Sequence, residues 1–189
     1  FSLGSVTGIA AGLYYLPHSV FSAAAFFLLA DRIVHSRQQN QDQIGDLYQP
    51  APAMANAALL GGLFFVTAIL VAGLPPLSGF VGKFLLLRAA LVHPQGAWIM
   101  PLVLIGGLFA LIALARAGSL LFFRVLPPTA ADVASTDATA SKASAHWSLL
   151  LPIIALLALC LGLTLAAGPI HAYALATAEQ LLQPYHYVH

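Results

Sequence analysis

Residues 72–87 read Ala72-Gly-Leu-Pro-Pro-Leu-Ser-Gly-Phe-Val-Gly-Lys-Phe-Leu-Leu-Leu87, and they place two prolines, three glycines and a lysine inside an otherwise apolar run. Neither proline can continue an α-helix, because proline lacks the N–H donor and its ring clashes with the preceding turn. The pattern therefore predicts one helix that is broken in two. The residues that we assign to the break are Pro75, Pro76, Ser78, Gly79 and Gly82.

The apolar run around the break is long enough to lie in a membrane. No charged residue occurs in residues 51–82, whereas about 20 residues suffice to cross the core of a bilayer. One half is predicted to run from about Met54 to Gly73 and the other from about Ser78 to Val92. Unpaired backbone groups at membrane depth are tolerated only inside protein or beside a water-filled cavity. In transporters, broken membrane helices mark ion pathways.

The composition is that of an integral membrane protein. Of the 189 residues, 60% are hydrophobic and 7% are charged, which excludes a soluble or disordered domain. A formal net charge of +1 provides no basic field for nucleic acid. The sequence contains no glycine-rich phosphate loop and no cysteine pair, so we expect neither a cofactor nor a metal site. Cys160, the single cysteine, cannot form an internal disulfide.

The distribution of apolar runs predicts an all-α membrane protein with about four transmembrane helices, of which the broken helix is the second. We assign residues 1–168 to the membrane segment and residues 169–189 to a C-terminal tail. One side of the tail carries six residues at helical spacing, which favours a helix at the membrane interface. They are Ile170, Tyr173, Ala174, Thr177, Ala178 and Leu181. The predicted crossings are Thr7 to Ile33, the broken residues 53–92, Trp98 to Phe123 and Ser148 to Ala167.

Basic residues lie in or beside the two longer connectors, and the positive-inside rule therefore places both connectors in the cytoplasm and the C-terminal tail outside. Arg116 agrees with this polarity, since it lies about two turns inside the end of the third crossing and can extend toward the cytoplasm. A hairpin of two short crossings at the break would instead invert the chain that follows it. The basic residues of the connectors are Arg32, Arg37, Arg124 and Lys142.

Lys83 is the protonatable residue of the break. It follows the start of the second half-helix by about one and a half turns, where burial and the positive end of that half-helix disfavour its charged form. Such a lysine can take up and release a proton within the membrane. Gly79 lies one turn earlier on the same face and would let a neighbouring helix come close. The alternative is that Lys83 extends to an interface, although Arg88 is better placed to do so.

His18 lies in the first predicted crossing, directly after Pro17, and Tyr14 and Ser22 lie one turn away on either side. These three polar residues form a stripe. Because Pro17 frees a carbonyl of the preceding turn, the stripe can hold water and relay protons, with His18 as its titrating group. A hydrogen-bonded structural histidine is the alternative. Glycines 106 and 107 in the third crossing are interpreted as helix packing.

The broken segment at residues 72–87 resembles the broken helix of the antiporter-like subunits found in respiratory complex I, membrane hydrogenases and the multisubunit Mrp (Pha) cation/proton antiporters. Two further stretches favour the D-type subunits of the Mrp antiporters. The resemblance implies that the chain is about the last third of a longer subunit, with Lys83 and His18 matching its membrane lysine and histidine. Ser22 stands where many complex I relatives have a lysine. The two stretches are Leu13-Tyr-Tyr-Leu-Pro-His-Ser-Val-Phe-Ser-Ala-Ala-Ala-Phe-Phe-Leu-Leu-Ala-Asp31 and Ala113-Leu-Ala-Arg-Ala-Gly-Ser-Leu-Leu-Phe-Phe-Arg124.

The resemblance implies a proton-translocating subunit of a sodium or potassium/proton antiporter, which is a transporter rather than an enzyme. It also implies partner subunits in a hetero-oligomeric complex and a place in the bilayer of a bacterial inner membrane. The first alternative is a proton-pumping subunit of respiratory complex I or a membrane hydrogenase. The second alternative is a membrane scaffold that holds partner subunits without transporting ions.

Overall fold

A computed structural model of the chain describes residues 4–38, 56–123 and 147–183. These residues form six α-helices and no β-strand, which confirms the all-α class. Every helix is dominated by apolar side chains, as its predicted position in a membrane requires. The helices are α1 (Val6–Gln38), α2 (Ala57–Ala72), α3 (Ser78–Leu91), α4 (Gly96–Phe122), α5 (Trp147–Leu165) and α6 (Ala167–Leu182).

Two of the helices, α1 and α4, are long and apolar enough to cross a membrane by themselves. The α5–α6 pair passes the same test when both helices are taken together, but it is bent by 78° at its break. Helix α2 is apolar and shorter. Length and hydropathy thus support two crossings, or three with the bent pair, among the residues described. The expected total of about four depends on the α2–α3 pair, neither half of which is long enough alone.

The predicted break lies between α2 and α3. Helix α2 ends at Gly73, whose φ of 75° is the left-handed conformation that glycine adopts without strain. The N–H of Gly73 donates to the carbonyls of Ile69 and Leu70, which completes a common helix stop. The chain is extended at Leu77, and α3 begins at Ser78. Both predicted ends of the break, Gly73 and Ser78, are therefore confirmed.

Helix α1 runs antiparallel along both halves of the broken pair. Leu29 of α1 belongs to a core cluster that also contains Phe64 of α2. Closer to the start of α1, His18 forms a hydrogen bond with Ser78 at the start of α3. Residues nearer the N-terminus of α1 thus contact residues nearer the C-terminal end of the α2–α3 pair. A hairpin would reverse this direction at the break, so the contacts support a single interrupted segment.

Helix α4 shows the same order of contacts on another side of the pair. The Phe122 ring lies against Gly61 near the start of α2, and Gly107 lies against Lys83 of α3. Since α4 also runs antiparallel to both halves, the broken pair is held between two continuous helices. This arrangement buries Ala72 before the break and Ser78 and Gly79 after it, whereas Leu74, Pro75 and Pro76 between them are exposed.

The core cluster joins the end of α1, the start of α2, the end of α4 and the start of α5. Residues 39–55 and 124–146 therefore connect helix ends that meet at the same end of the bundle. The side of the membrane on which the two connectors lie stays a prediction. Arg124 and Lys142, on which part of the charge argument depended, lie outside the described residues.

Helix α6 folds back onto the beginning of α1. Ala174 and Ala178 are buried there in a cluster with Ile9 and Ala10, whereas Tyr173 and Leu181, predicted for the same side, are 75% and 60% exposed. The predicted face of the tail is therefore divided, because its alanines pack against α1 and its larger side chains point away. The helix begins at Ala167, just before the predicted tail. Its location at the membrane interface stays a prediction.

Candidate functional site

The break between α2 and α3 is enclosed by side chains from α1 and α4. Ser78, Gly79 and Gly82, three residues assigned to the break from the sequence, are buried, whereas Pro75 and Pro76 are exposed. The polar groups of Lys83 and His18 approach this enclosed region from two directions. The site is therefore a small polar region within an apolar bundle.

Lys83 folds back from α3 to the end of α2. Its Nζ donates a hydrogen bond of 2.6 Å to the carbonyl of Ala72, the last residue of α2. This carbonyl needs a donor from outside its own helix, because the last four carbonyls of an α-helix lack intrahelical donors. The lysine side chain passes so close to Gly73 that a Cβ there would lie 2.8 Å from Nζ. Gly73 therefore provides both the helix stop and the space for the lysine.

The contact with Ala72 gives Lys83 a different electrostatic environment from the one expected from the sequence. Burial and the positive end of α3 both disfavour the charged form of the lysine. In the structure, Nζ lies at the C-terminal end of α2, where the helix dipole stabilises a cation by about 0.3–1 kcal/mol. The lysine thus has a position that favours its charge while its side chain is partly buried, which is the combination that a reversible proton carrier needs.

His18 is held against the start of α3. Its Nδ1 lies 3.0 Å from Oγ of Ser78, and the two side chains are exposed by only 1% and 0%. Gly79 makes this approach possible, because a Cβ there would lie 3.0 Å from the imidazole ring and would also collide with the carbonyl of Leu70. The prediction that Gly79 admits a neighbouring helix is confirmed, and that helix is α1.

The structure separates the predicted stripe on α1 into three different contacts. Tyr14 donates a hydrogen bond of 2.9 Å to the carbonyl of Leu163 on α5, and Ser22 bonds to the carbonyl of Ser19 within α1. All three stripe residues are buried. Their hydrogen bonds nevertheless lead in different directions, so the geometry joins His18 to α3 rather than to Tyr14 or Ser22.

Two residues of the site were not identified from the sequence as members of it. Ala72 contributes a backbone carbonyl, for which no side-chain pattern gives a signal. Gly107 of α4 would place a Cβ 3.5 Å from Nζ of Lys83, so its missing side chain leaves room beside the ammonium. The glycine pair at 106 and 107 was the available signal, and its interpretation as helix packing overlooked the lysine.

Carboxylates are absent from the break among the residues that the structure describes. Asp31 lies at the exposed end of α1 and pairs with Arg32 at 2.6 Å. Glu179 lies on the exposed side of α6. Lys83 and His18 are therefore surrounded by neutral hydrogen-bonding groups within this part of the chain.

Comparison with known proteins finds one matching family and two antiporter subunits that are similar over nearly the whole chain. Residues 1–113 match the family described as "NADH:quinone oxidoreductase/Mrp antiporter, TM". The chain is 32% identical over 206 residues to the D-type subunit of a probable K⁺/H⁺ antiporter from Rhizobium meliloti, covering 96% of the chain and 36% of that protein. It is 33% identical to the D-type subunit of a Na⁺/H⁺ antiporter from Alkalihalophilus pseudofirmus, covering 95% and 34%.

A third relative belongs to the respiratory branch. An N-type subunit of the NADH-quinone oxidoreductase of Solidesulfovibrio magneticus is 34% identical over 88 residues, which cover 46% of the chain and 18% of that protein. The similarity to the two antiporter subunits extends over nearly the whole chain, whereas the respiratory match covers less than half. The chain spans about a third of the length of the antiporter subunits that it matches.

Proposed function

The chain belongs to the NADH:quinone oxidoreductase/Mrp antiporter membrane family, and we propose that it forms a proton-translocating part of a monovalent cation/proton antiporter. The observation that carries this proposal is the position of Lys83, whose Nζ is bound to the end of one half-helix while its backbone belongs to the other. Protonation of Lys83 thereby affects both the end of α2 and the start of α3. The printed names of the two long matches favour Na⁺ or K⁺ as the exchanged cation.

Lys83 is proposed to carry the proton. As an ammonium it donates to the Ala72 carbonyl and is stabilised by the dipole of α2. Release of the proton removes the charge and with it most of this stabilisation, so the neutral amine is free to leave the carbonyl. Gly73 and Gly107 leave the adjacent space unfilled. Proton transfer and side-chain movement are thus linked at one residue.

His18 is proposed to exchange protons beside Lys83. Its imidazole is oriented by the hydrogen bond to Ser78. Tyr14 and Ser22, which the sequence also placed on the pathway, are proposed as polar lining of the same face of α1. In this arrangement His18 meets the start of α3 and Lys83 meets the end of α2, so two protonatable side chains lie at the same break.

A redox-driven proton pump is the second candidate, because the chain also matches an NADH-quinone oxidoreductase subunit. A membrane scaffold without transport is the third. The antiporter is favoured by the two long matches, which cover almost the whole chain. We also propose that the subunit works with other subunits in a bacterial inner membrane, as the multisubunit nature of its relatives implies.

The function is tested in everted membrane vesicles that contain the full-length subunit and its complex. We expect addition of Na⁺ or K⁺ to dissipate a preformed pH gradient, because outward proton movement from the vesicle is then coupled to cation uptake. Vesicles from a strain lacking the subunit are the control. A pH gradient that responds to NADH oxidation and not to either cation would favour the redox pump, and no response to any of these would favour the scaffold.

We expect His18→Ala to change the pH profile of exchange more than its maximum rate. The maximum rate should fall by less than about tenfold, the equivalent of one hydrogen bond worth about 0.5–1.5 kcal/mol. Lys83 retains its contact with Ala72 in this variant. The measurement is the exchange rate in vesicles across a series of pH values.

Ser78→Ala is the matched variant for His18, because it removes the same hydrogen bond and keeps the imidazole. It should leave the shape of the pH profile unchanged. If both variants lowered the thermal stability of the subunit equally and neither altered the profile, His18 would be structural.

A further inference from the structure

Tyr15 is a residue of α1 that contacts the site and that the predicted stripe does not include. The stripe takes residues at intervals of four, whereas Tyr15 precedes His18 by three, a spacing that also makes two residues neighbours on a helix. The rings of Tyr15 and His18 are tilted by 50°, with their centroids 5.4 Å apart. This separation lies within the range of interacting aromatic pairs.

The Tyr15 ring also contacts α3 at Gly82. A Cβ at Gly82 would lie 2.6 Å from Cδ2 of Tyr15, which is too short for two carbon atoms that are not bonded. Only glycine at this position therefore admits the ring. Gly82 is buried and directly precedes Lys83, so Tyr15 joins the His18 imidazole to the turn of α3 that carries the lysine.

Helix α3 thus receives two rings from α1 at two glycines. His18 lies against Gly79, where a Cβ would be 3.0 Å from the imidazole, and Tyr15 lies against Gly82. The two rings and the two glycines have the same spacing of three residues along antiparallel helices. Small residues let the backbones of membrane helices approach closely, so this match fixes how α1 packs on α3 at the break.

The hydrogen bond to Ser78 does not by itself fix the imidazole. It holds Nδ1 of His18, while the last torsion of a histidine side chain has a broad energy profile that permits the ring to rock. Nε2, the other nitrogen, lies on the side of Gly79. Because Ser78 engages Nδ1, Nε2 is the nitrogen through which His18 would exchange protons with groups at the break.

We propose that Tyr15 is a positioning residue for His18. Its ring, seated at Gly82, restricts rotation of the imidazole and keeps Nε2 directed toward α3. Tyr15 acts through the contact of the two rings, and its hydroxyl takes no part in this role. The role rests on the proposed function, because the orientation of Nε2 affects transport only where His18 exchanges protons.

The position of the imidazole is tested in the assembled complex by the rate at which the Cε1 hydrogen of His18 exchanges with deuterium, followed by mass spectrometry. A buried ring that cannot rotate exchanges slowly. We expect Tyr15→Leu to raise the rate about two- to tenfold, the factor that corresponds to loss of one aromatic pair contact. The measurement requires no transport, so it is independent of whether the complex exchanges cations.

Tyr15→Phe is the matched variant, because it removes the hydroxyl and keeps the ring. It should leave the deuterium-exchange rate at His18 unchanged. His171 of α6 is the internal reference, and its rate should be the same in all variants. Gly82→Ala disturbs the Tyr15 ring from α3 rather than from α1, so it should raise the rate at His18 even where Tyr15→Leu fails to assemble.

The consequence for transport is tested by combining Tyr15→Leu with Ser78→Ala, which removes both restraints on the imidazole. We expect this double variant to alter cation/proton exchange as His18→Ala does. Adding His18→Ala to it should cause no further loss, because substitutions that act through one side chain do not have additive effects. A further loss would show that Tyr15 affects transport by another route and would contradict the positioning role.

Three other results would overturn the positioning role. The first is an unchanged deuterium-exchange rate at His18 in assembled Tyr15→Leu and Gly82→Ala complexes. The second is an equal rise for Tyr15→Phe, which would assign the effect to the hydroxyl. The third is an equal rise at His171, which would show a general loosening of the helices. A rise confined to His18 in a complex without cation/proton exchange would contradict the proposed function and support the positioning of the imidazole.

Discussion

Lys83→Ala in the full-length subunit is expected to abolish cation-dependent proton exchange, or to lower it by at least about a hundredfold, as loss of a positioned proton-transfer group does. The substitution removes the one side chain that reaches from α3 to the end of α2. Among the described residues, Gly73 and Gly107 beside Lys83 have no side chain that could take over its contact with Ala72. Exchange is measured in vesicles from the cation-induced change of a pH gradient.

The amount of assembled complex should stay close to normal in the Lys83 variant, because alanine leaves the backbone of α3 intact and Lys83 packs against glycines rather than in the core. Arg88→Ala is the matched control on the same helix, and we expect it to retain exchange. Near-normal exchange by equal amounts of Lys83→Ala complex would remove Lys83 from the mechanism.

Gly79→Ala is expected to have the second-largest effect, and it should act on folding as well as on transport. A Cβ at this position would collide with the carbonyl of Leu70 and would lie 3.0 Å from the His18 ring. The carbonyl belongs to the backbone and cannot rotate away, so α3 must move relative to α2. Overpacking of this kind costs about 1–3 kcal/mol. We expect a lower melting temperature of the complex and a lower exchange rate per assembled complex.

Gly62→Ala is the control for Gly79, because Gly62 lies in α2 with no heavy atom of the described chain near its Cβ position. It should be neutral or slightly stabilising, since alanine favours a helix over glycine by up to about 1 kcal/mol. Equal stability and equal exchange for the two alanine variants would show that the close approach at Gly79 is not required.

The position of the break was predictable because its causes are local. Proline removes a donor, and glycine at a helix end adopts the left-handed conformation, whatever the rest of the fold does. The predicted stop at Gly73 and the predicted restart at Ser78 therefore agree with the structure. The shared face of Ala174 and Ala178 was predictable for a similar reason, since helical spacing fixes it.

The partners of the polar residues were not predictable from spacing. Helical periodicity shows which side chains share a face, but it does not show which other helix that face meets. His18 bonds to Ser78, 60 residues away, and Tyr14 bonds to Leu163, 149 residues away. The three residues of the predicted stripe are buried, their hydrogen bonds lead to different partners, and their role as a proton relay stays a prediction.

The backbone partner of Lys83 was missed for a different physical reason. In the sequence, Lys83 lies near the start of α3, where the helix dipole opposes a cation. Its long side chain instead reaches the preceding helix end, where the dipole favours one. Because the lysine side chain is long and flexible, its charge lies near a different helix end from its Cα atom, and the effect of the helix dipole changes sign.

Packing of the α2–α3 pair against α1 and α4 affects how fast the break can bend. Bending at the break would have to separate Ser78 from His18 and Lys83 from Gly107, contacts that lie on two different neighbouring helices. Rotation of the Lys83 side chain leaves the His18–Ser78 contact in place, and side-chain rotations take picoseconds to nanoseconds where the side chain is free. Collective helix motions take microseconds to milliseconds. The interval between transported protons is therefore expected to reflect arrival of protons and cations rather than deformation of the scaffold.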